Sequence, residues 1–401
     1  MDALINPALA QPDWQPQTRA VRGGIQRSRH GETSEALYLT SGYVYASAEE
    51  AEARFKGEAD GFIYSRYGNP TVAMFEERLA LMEGAEACFA TASGMSAVFA
   101  ALACQLEAGD HVVAGRALFG SCHVILTQIL PRFGIETTLV DGPDLAQWQA
   151  ALGPRTRAVF FETPANPTLE LIDIEAVAGL AHAVGASVIV DNVFSTPLLQ
   201  KPLRFGADVV VYSGTKHIDG QGRCLGGAVL SSQAFRDDKL EPFLRHTGPA
   251  LSPFNAWVLL KGLETLALRI ERHCASAARI AEVLAAHPKV ARVLYPGRDD
   301  HPQAELARRQ MAAGGSVVTF DLAGRREAAF RLLNALELVD ISNNLGDAKS
   351  LITHPATTTH RAMGPEGRAQ VGIGEGMVRI SVGLEAVEDI ALDLIQALAR
   401  V

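Results

Sequence analysis

The 401-residue chain lacks an apolar run that could cross a bilayer. Its longest, Met95 to Leu106, is shorter than the roughly 20 residues a spanning helix needs and contains Ser96 and Gln105. It also lacks any Cys-x-x-Cys pair. The five cysteines, at positions 88, 104, 122, 224 and 274, are odd in number and widely spaced, which argues against a disulfide framework and for reduced thiols in a cytoplasmic protein. There is no excess of positive charge: 36 Lys and Arg against 45 Asp and Glu leave a net −9, which excludes a nucleic-acid binder working through a general basic surface. Met1 to Pro16 has no basic cluster ahead of an apolar core, so no secretory signal is expected there, and no membrane partner. Internal repeats and low-complexity tracts are absent too. His354 and His360 have no carboxylate or cysteine at metal-site spacing, so no metal is expected. What remains is 48% hydrophobic and 20% charged, the composition of an ordinary globular protein long enough for two or three domains.

The stretch that organises the chain is Val209-Val210-Val211-Tyr212-Ser213-Gly214-Thr215-Lys216-His217. A β-branched run that stops in small polar residues reads as a buried parallel strand ending in a turn, with one amine presented beyond it. Ser187 to Asp191 has the same form and ends in a carboxylate. Other strands are expected at 85–91, 111–114, 137–140, 158–162 and 228–230, with helices at 94–106, 121–131, 144–152 and 173–184 between them. That alternation gives an α/β domain with a mostly parallel, doubly wound sheet. Before it, residues 1–66 read as an arm, with a short helix near Ala48 to Ala53, and Pro70-Thr71 opens a helix through Glu83. The large domain is expected over 67–255. Residues 256–401 read as a smaller α+β domain, entered by one long or kinked helix from Ala256 to Ala285. It continues with strands at 290–293, 316–320 and 377–382, antiparallel with helices on one face, and helices at 326–336 and 386–401.

In open α/β sheets the ligand sits outside the carboxyl ends of the strands, where Asp191 and Lys216 could share a pocket. An amine with a carboxylate is what pyridoxal phosphate requires: one forms the Schiff base, the other keeps the ring nitrogen protonated. Taken singly, a surface lysine and a capping aspartate are the commoner explanations. Ala92-Ser93-Gly94-Met95-Ser96 between strand and helix would point free N–H groups at an anion, although Ser-Gly before a helix is also ordinary capping. Tyr64 and Arg66 suit a phosphate clamp or a plain loop surface. Gly220 to Gly227 fails as a dinucleotide fingerprint, because its third glycine is one place late and a strand follows it instead of a helix.

Six motifs then agree in order and spacing. They are Tyr64-Ser65-Arg66-Tyr67-Gly68-Asn69-Pro70-Thr71, Ser93-Gly94-Met95, Pro164-Ala165-Asn166-Pro167-Thr168, Asp191-Asn192, Ser213-Gly214-Thr215-Lys216, and Arg379-Ile380-Ser381-Val382-Gly383-Leu384-Glu385. On these, the chain from Thr18 onward resembles the cystathionine γ-synthase-like group of pyridoxal-phosphate enzymes, whose large domain has the aminotransferase-like fold. The resemblance implies Lys216 as the cofactor-bearing lysine, Asp191 at the ring nitrogen and Asn166 at the ring 3′ oxygen. It implies a phosphate held by the N–H groups of Gly94 and Met95 and the hydroxyls of Ser213 and Thr215. It implies Arg379 at the substrate α-carboxylate, where a bidentate guanidinium fits. In this family Tyr64 and Arg66 reach the phosphate of the neighbouring subunit, so an active-site-sharing dimer, usually within a homotetramer, is implied.

Departures from the pattern point to a branch. The family's ring-stacking tyrosine falls at Phe119, which can stack but cannot exchange a proton, so Lys216 is left as the main proton carrier. The cysteine of methionine γ-lyases falls at Ser121, with Cys122 one place off. Gly346-Asp347-Ala348-Lys349, where lyases and cystathionine synthases carry Gly-Gly-Ala-Glu, resembles the sulfhydrylases, and with Phe119 those acting on O-succinylhomoserine. That implies γ-replacement by sulfide, yielding homocysteine and succinate in methionine biosynthesis. O-acetylhomoserine as donor and cystathionine γ-synthase activity stay as alternatives, because Val124 stands where succinyl-using synthases have an arginine. Ser342, Lys349 and Arg361 are expected to contact substrate, with Arg116 a further candidate cation for the succinyl carboxylate.

Overall fold

The computed structural model describes residues 14–401, so the first thirteen residues of the expected arm lie outside the described residues. The strands β1 (Ala87–Thr91), β2 (His111–Gly115), β3 (Glu136–Val140), β4 (Thr156–Glu162), β5 (Ser187–Asp191), β6 (Val209–Ser213) and β7 (Gly227–Ser231) form one sheet in the order β1-β7-β6-β5-β4-β2-β3. Six of them run the same way. β7 runs against both of its neighbours, β1 and β6, which is the exception to the parallel arrangement. Alternation along the strands explains why helices cover both faces. Val210 and Tyr212 belong to one core layer while Val209 and Val211 belong to the other, and Phe161 and Phe160 divide in the same way.

A second sheet of β8 (Val290–Leu294), β9 (Val317–Leu322), β10 (Asp340–Ile341), β11 (Leu351–Thr353) and β12 (Met377–Ser381) has the order β10-β11-β12-β9-β8. It is antiparallel as expected, except that the short β10 pairs parallel to β11. Its core gathers Ile280 and Leu284, Leu332, and Ile390 and Leu394 from the helices Leu266–Ala285, Arg325–Asn334 and Val387–Ala399.

Several helices differ from the sequence expectation, each for a local reason. The Ala256–Ala285 segment is two helices, Pro253–Glu264 and Leu266–Ala285, separated at Thr265 where φ −108° and ψ 4° leave the helical region. Residues 121–131 are not one regular helix. Gly120–Val124 passes into a π-helical turn, Ile125–Ile129, and Pro131 then sits in a 3₁₀ turn, Leu130–Phe133. The arm contains a helix, Pro16–Arg22, that its weak periodicity concealed. Pro70–Glu83 begins and ends where expected: Asn69 Oδ1 accepts from Thr71 N (2.9 Å), Pro70 occupies the first turn, and Gly84 closes the helix at φ 87°. Among the described residues no helix is long and apolar enough to cross a membrane.

Candidate active site

The functional residues meet where strands end. β6 finishes at Ser213, and a turn held by Gly214 N to Gly226 O (2.8 Å) and Gly220 N to Lys216 O (2.8 Å) lifts Lys216 above the sheet edge. The same edge carries Asp191 at the end of β5 and Glu162 at the end of β4. A cavity of about 230 Å³ opens there. Its walls include Lys216, Asp191, Asn166, Phe119 and Arg379, with Ser93, Gly94, Met95, Ser213 and Thr215 grouped on another side.

Helix Gly94–Ala103 explains that second group. Ser93 caps it by accepting from Ser96 N (3.2 Å), which leaves the N–H groups of Gly94 and Met95 at the open end of the helix. Gly94 packs so closely that an added Cβ would lie 2.6 Å from the Ser213 Cβ. A helix N-terminus, a bare glycine and the Ser213 and Thr215 hydroxyls make a cradle for a phosphate.

Electrostatics organise the other end of the cavity. Lys216 Nζ donates to Asn344 Oδ1 at 2.6 Å, and burial, aided by the nearby Arg379 charge, pulls its pKa down to about 8. Arg379 is buried. Its Nη1 donates to Asn166 Oδ1 (2.9 Å) and its Nη2 to the carbonyls of Asn343 (2.8 Å) and Asn344 (3.2 Å), while its Nε has no partner among the described residues. No carboxylate lies within ion-pair range of it among the described residues. A buried guanidinium with a spare donor and no counter-charge is arranged for an incoming carboxylate. Asp191 accepts from Val193 N (3.0 Å), and burial pushes its pKa up. A cation brought beside it would be favoured for the same reason. These features fit pyridoxal phosphate: cradle, carboxylate and amine stand in one cavity, and the Nδ2 of Asn166 is not engaged by Arg379.

Other expected residues lie elsewhere. Tyr64 is exposed. Arg66 donates to the Arg245 carbonyl and packs over the rings of Tyr64 (5.4 Å) and Tyr67 (4.7 Å); neither it nor Tyr64 lines this cavity. Ser342 Oγ accepts from Asn344 N (3.2 Å) and so shapes the loop without lining the cavity. Lys349 is exposed, 3.5 Å from the Asp347 carboxylate, and Arg361 is exposed in the 3₁₀ turn Arg361–Met363. Arg116 pairs with Asp141 at 2.7 Å. None of these three cations lines the cavity.

Sequence reasoning missed several wall groups, among them Glu162, Phe194, Leu225 and Leu345, and the Asn344 amide that engages Lys216. Glu162 carried a usable signal, since it ends its strand as Asp191 ends the next, and the two are partners in register. Together with Cys122 they place three potential ligand atoms within 4.8 Å of one another.

The model of a family described as Cys/Met metabolism PLP-dependent enzymes matches residues 17–399. An O-succinylhomoserine sulfhydrylase of Mycobacterium tuberculosis is 62% identical over 405 residues, 99% of each chain. One of Pseudomonas aeruginosa is 51% identical over 95% of this chain and 94% of its own. Among solved structures, a Campylobacter jejuni chain carrying N'-pyridoxyl-lysine-5'-monophosphate superposes with a TM-score of 0.92 at 33% identity, over 96% of this chain and 100% of that one. Matches that run through both sheets and every wall of the cavity assign the family as well as the fold: the chain belongs to the Cys/Met metabolism PLP-dependent enzymes.

Proposed function

We propose that the enzyme replaces the succinyloxy group at Cγ of O-succinyl-L-homoserine with sulfide, breaking the Cγ–O bond and releasing L-homocysteine and succinate, in methionine biosynthesis. The observation that carries this reading is the contact between Lys216 Nζ and Asn344 Oδ1, because it couples the reactive amine to the loop whose Gly346-Asp347-Ala348-Lys349 resembles the sulfhydrylases. Full-length similarity to proteins named O-succinylhomoserine sulfhydrylase supports the same choice.

Pyridoxal phosphate, when bound, supplies the electron sink for negative charge developing on the substrate. Lys216 Nζ would hold it covalently, Asp191 would meet its ring nitrogen and Asn166 its 3′ oxygen. Phe119 would lie on its ring, and Gly94, Met95, Ser213 and Thr215 would hold its phosphate. Arg379 orients the substrate by its α-carboxylate, for which its buried guanidinium keeps the Nε donor free. The freed Lys216 amine takes the proton from Cα, since burial has lowered its pKa to about 8 and so raised its neutral fraction well above that of an ordinary lysine. With phenylalanine at position 119, no phenol shares the work: the same Nζ releases the Cα proton before it takes the β-proton, and later returns protons to the product.

A second reading rests on a specific observation. Arg116, Lys349 and Arg361, the candidate cations for a succinyl carboxylate, all lie off the cavity wall, so O-acetylhomoserine stays a competing donor. Cystathionine γ-synthase activity differs only in the acceptor. A matrix of O-succinyl- and O-acetylhomoserine against sulfide and cysteine, scored for homocysteine, cystathionine and 2-oxobutyrate, separates these. Homocysteine from O-succinylhomoserine and sulfide should dominate; a preference for cysteine as acceptor would sink the sulfhydrylase reading.

The proposal extends to assembly. Tyr64 and Arg66, which stand away from their own chain's cavity, serve the cofactor phosphate of a partner subunit in a dimer, itself half of a homotetramer in the cytoplasm. Exposed Leu39, Val44, Phe55 and Tyr64 on the arm support it, since apolar side chains of that size favour a covered surface. Residues 1–66 would then be the exchanging arm, 67–255 the cofactor domain and 256–401 the small domain.

A further inference from the structure

We infer that Glu162 is a positioning residue for the cofactor: as a neutral acid it fixes the backbones that carry Phe119 and Asn166, and it leaves Asp191 as the single carboxylate facing the ring nitrogen. Glu162 is buried at the end of β4, opposite Asp191 in the parallel register with β5. Its Oε1 accepts from Phe119 N at 2.6 Å, and the Asn166 backbone N–H also points to its carboxyl group. One side chain therefore joins the residue placed against the ring, the residue placed at its 3′ oxygen, and the strand end that holds Asp191.

The charge assignment follows from what surrounds it. Asp191 on β5 and Cys122 on the helix Gly120–Val124 face Glu162, all three within 4.8 Å. Lys216 and Arg379 line the same cavity, but Lys216 is held by Asn344, and Arg379 by Asn166 and two carbonyls. Two carboxylates this close in a buried wall cannot both ionise, so they hold one proton between them. The ring nitrogen of the cofactor settles which one keeps it, because a cation beside Asp191 stabilises the ionised form of that group. Burial and the Asp191 charge raise the pKa of Glu162 in the same direction.

The inference rests on the family's cofactor but not on the choice of substrate, so the test reads cofactor binding alone. Wild type, Glu162→Gln and Glu162→Ala would be stripped of cofactor and titrated with pyridoxal phosphate, following visible absorbance and the induced circular dichroism of the bound ring. Gln keeps a carbonyl acceptor for Phe119 N and is neutral; it should bind within about threefold of wild type and preserve the dichroism, whereas Ala, which loses the acceptor, should bind about tenfold or more weakly with reduced dichroism. Should Glu162→Ala be insoluble, Glu162→Leu fills the space without an acceptor and takes its place. If Ala or Leu bound like wild type, Glu162 would have no positioning role. If Gln were as weak as Ala, the neutral-acid assignment would be wrong. A wild-type protein that bound no pyridoxal phosphate would refute the cofactor, a different result from either.

Discussion

Burial and one amide set the state of the Lys216 amine. Its pKa of about 8 lies well below an ordinary lysine because the charged form is penalised by burial and by Arg379. Only the neutral amine accepts a proton, so exchange of the substrate Cα proton in D₂O should rise with pH and level off above about 8, falling roughly tenfold per unit below it. Replacing Asn344 with alanine removes the Nζ partner that steers the neutral amine and should lower kcat by about twofold to tenfold with a smaller change in KM, the loss expected for a neutral hydrogen bond. Steady-state kinetics check it, and an unchanged kcat would show that the contact is idle. At this scale Asp191 and Arg379 stood out because they close or interrupt an apolar strand, and Lys216 because it is the amine in the small polar turn that follows one. Glu162 was passed over although it ends its strand as Asp191 ends the next, because only the register of the two strands shows that they face each other. Nor does sequence reveal which way Lys349 turns, as a loop lysine two residues from Asp347 has a local partner available.

The helix Pro70–Glu83 shows how elements hold the site's frame. At its start Asn69 does more than cap: its Nδ2 donates to Tyr38 O (3.0 Å) and Ser65 Oγ (3.1 Å), tying the arm to the helix. Asn69→Ala should therefore cost more than a lone cap, about 1–3 kcal/mol, read as a shift in the urea midpoint. At its end Glu83 accepts from Tyr212 OH (2.5 Å), and burial lifts its pKa to about 7. Because the folded value lies above the unfolded one, its contribution is fully present below about pH 4.5 and is lost as pH rises through 7. Wild type should lose up to about 3 kcal/mol between pH 5 and 8 from this group, and Glu83→Gln should remove that part of the slope. Denaturation at several pH values decides it; parallel slopes for the two proteins would refute it. The termini of this helix were readable because Asn-Pro and Gly mark them. The break at Thr265 and the π-turn at Ile125–Ile129 were not, since the apolar pattern continues across both and only packing decides where the backbone departs. The reversed direction of β7 was hidden for a related reason: an apolar strand buried on both faces looks the same in either direction.

For the whole molecule, the question is whether one chain completes a site. Arg66 lies off the wall of its own cavity, its guanidinium over the rings of Tyr64 and Tyr67 and donating to the Arg245 carbonyl. If it serves the partner's phosphate, two inactive variants should rescue each other. In a mixed dimer of Lys216→Ala with Arg66→Ala, one cavity has its own Lys216 and receives Arg66 from the other chain, while the second cavity lacks both. Random pairing of equal amounts makes half the dimers mixed with one good site each, so co-expression should restore about a quarter of wild-type activity per subunit. Tetramer formation does not alter this arithmetic, because the sites are shared within each dimer. Activity no greater than the average of the two variants assayed separately would place Arg66 outside the partner's site. The exposed apolar side chains of the arm would then need another explanation.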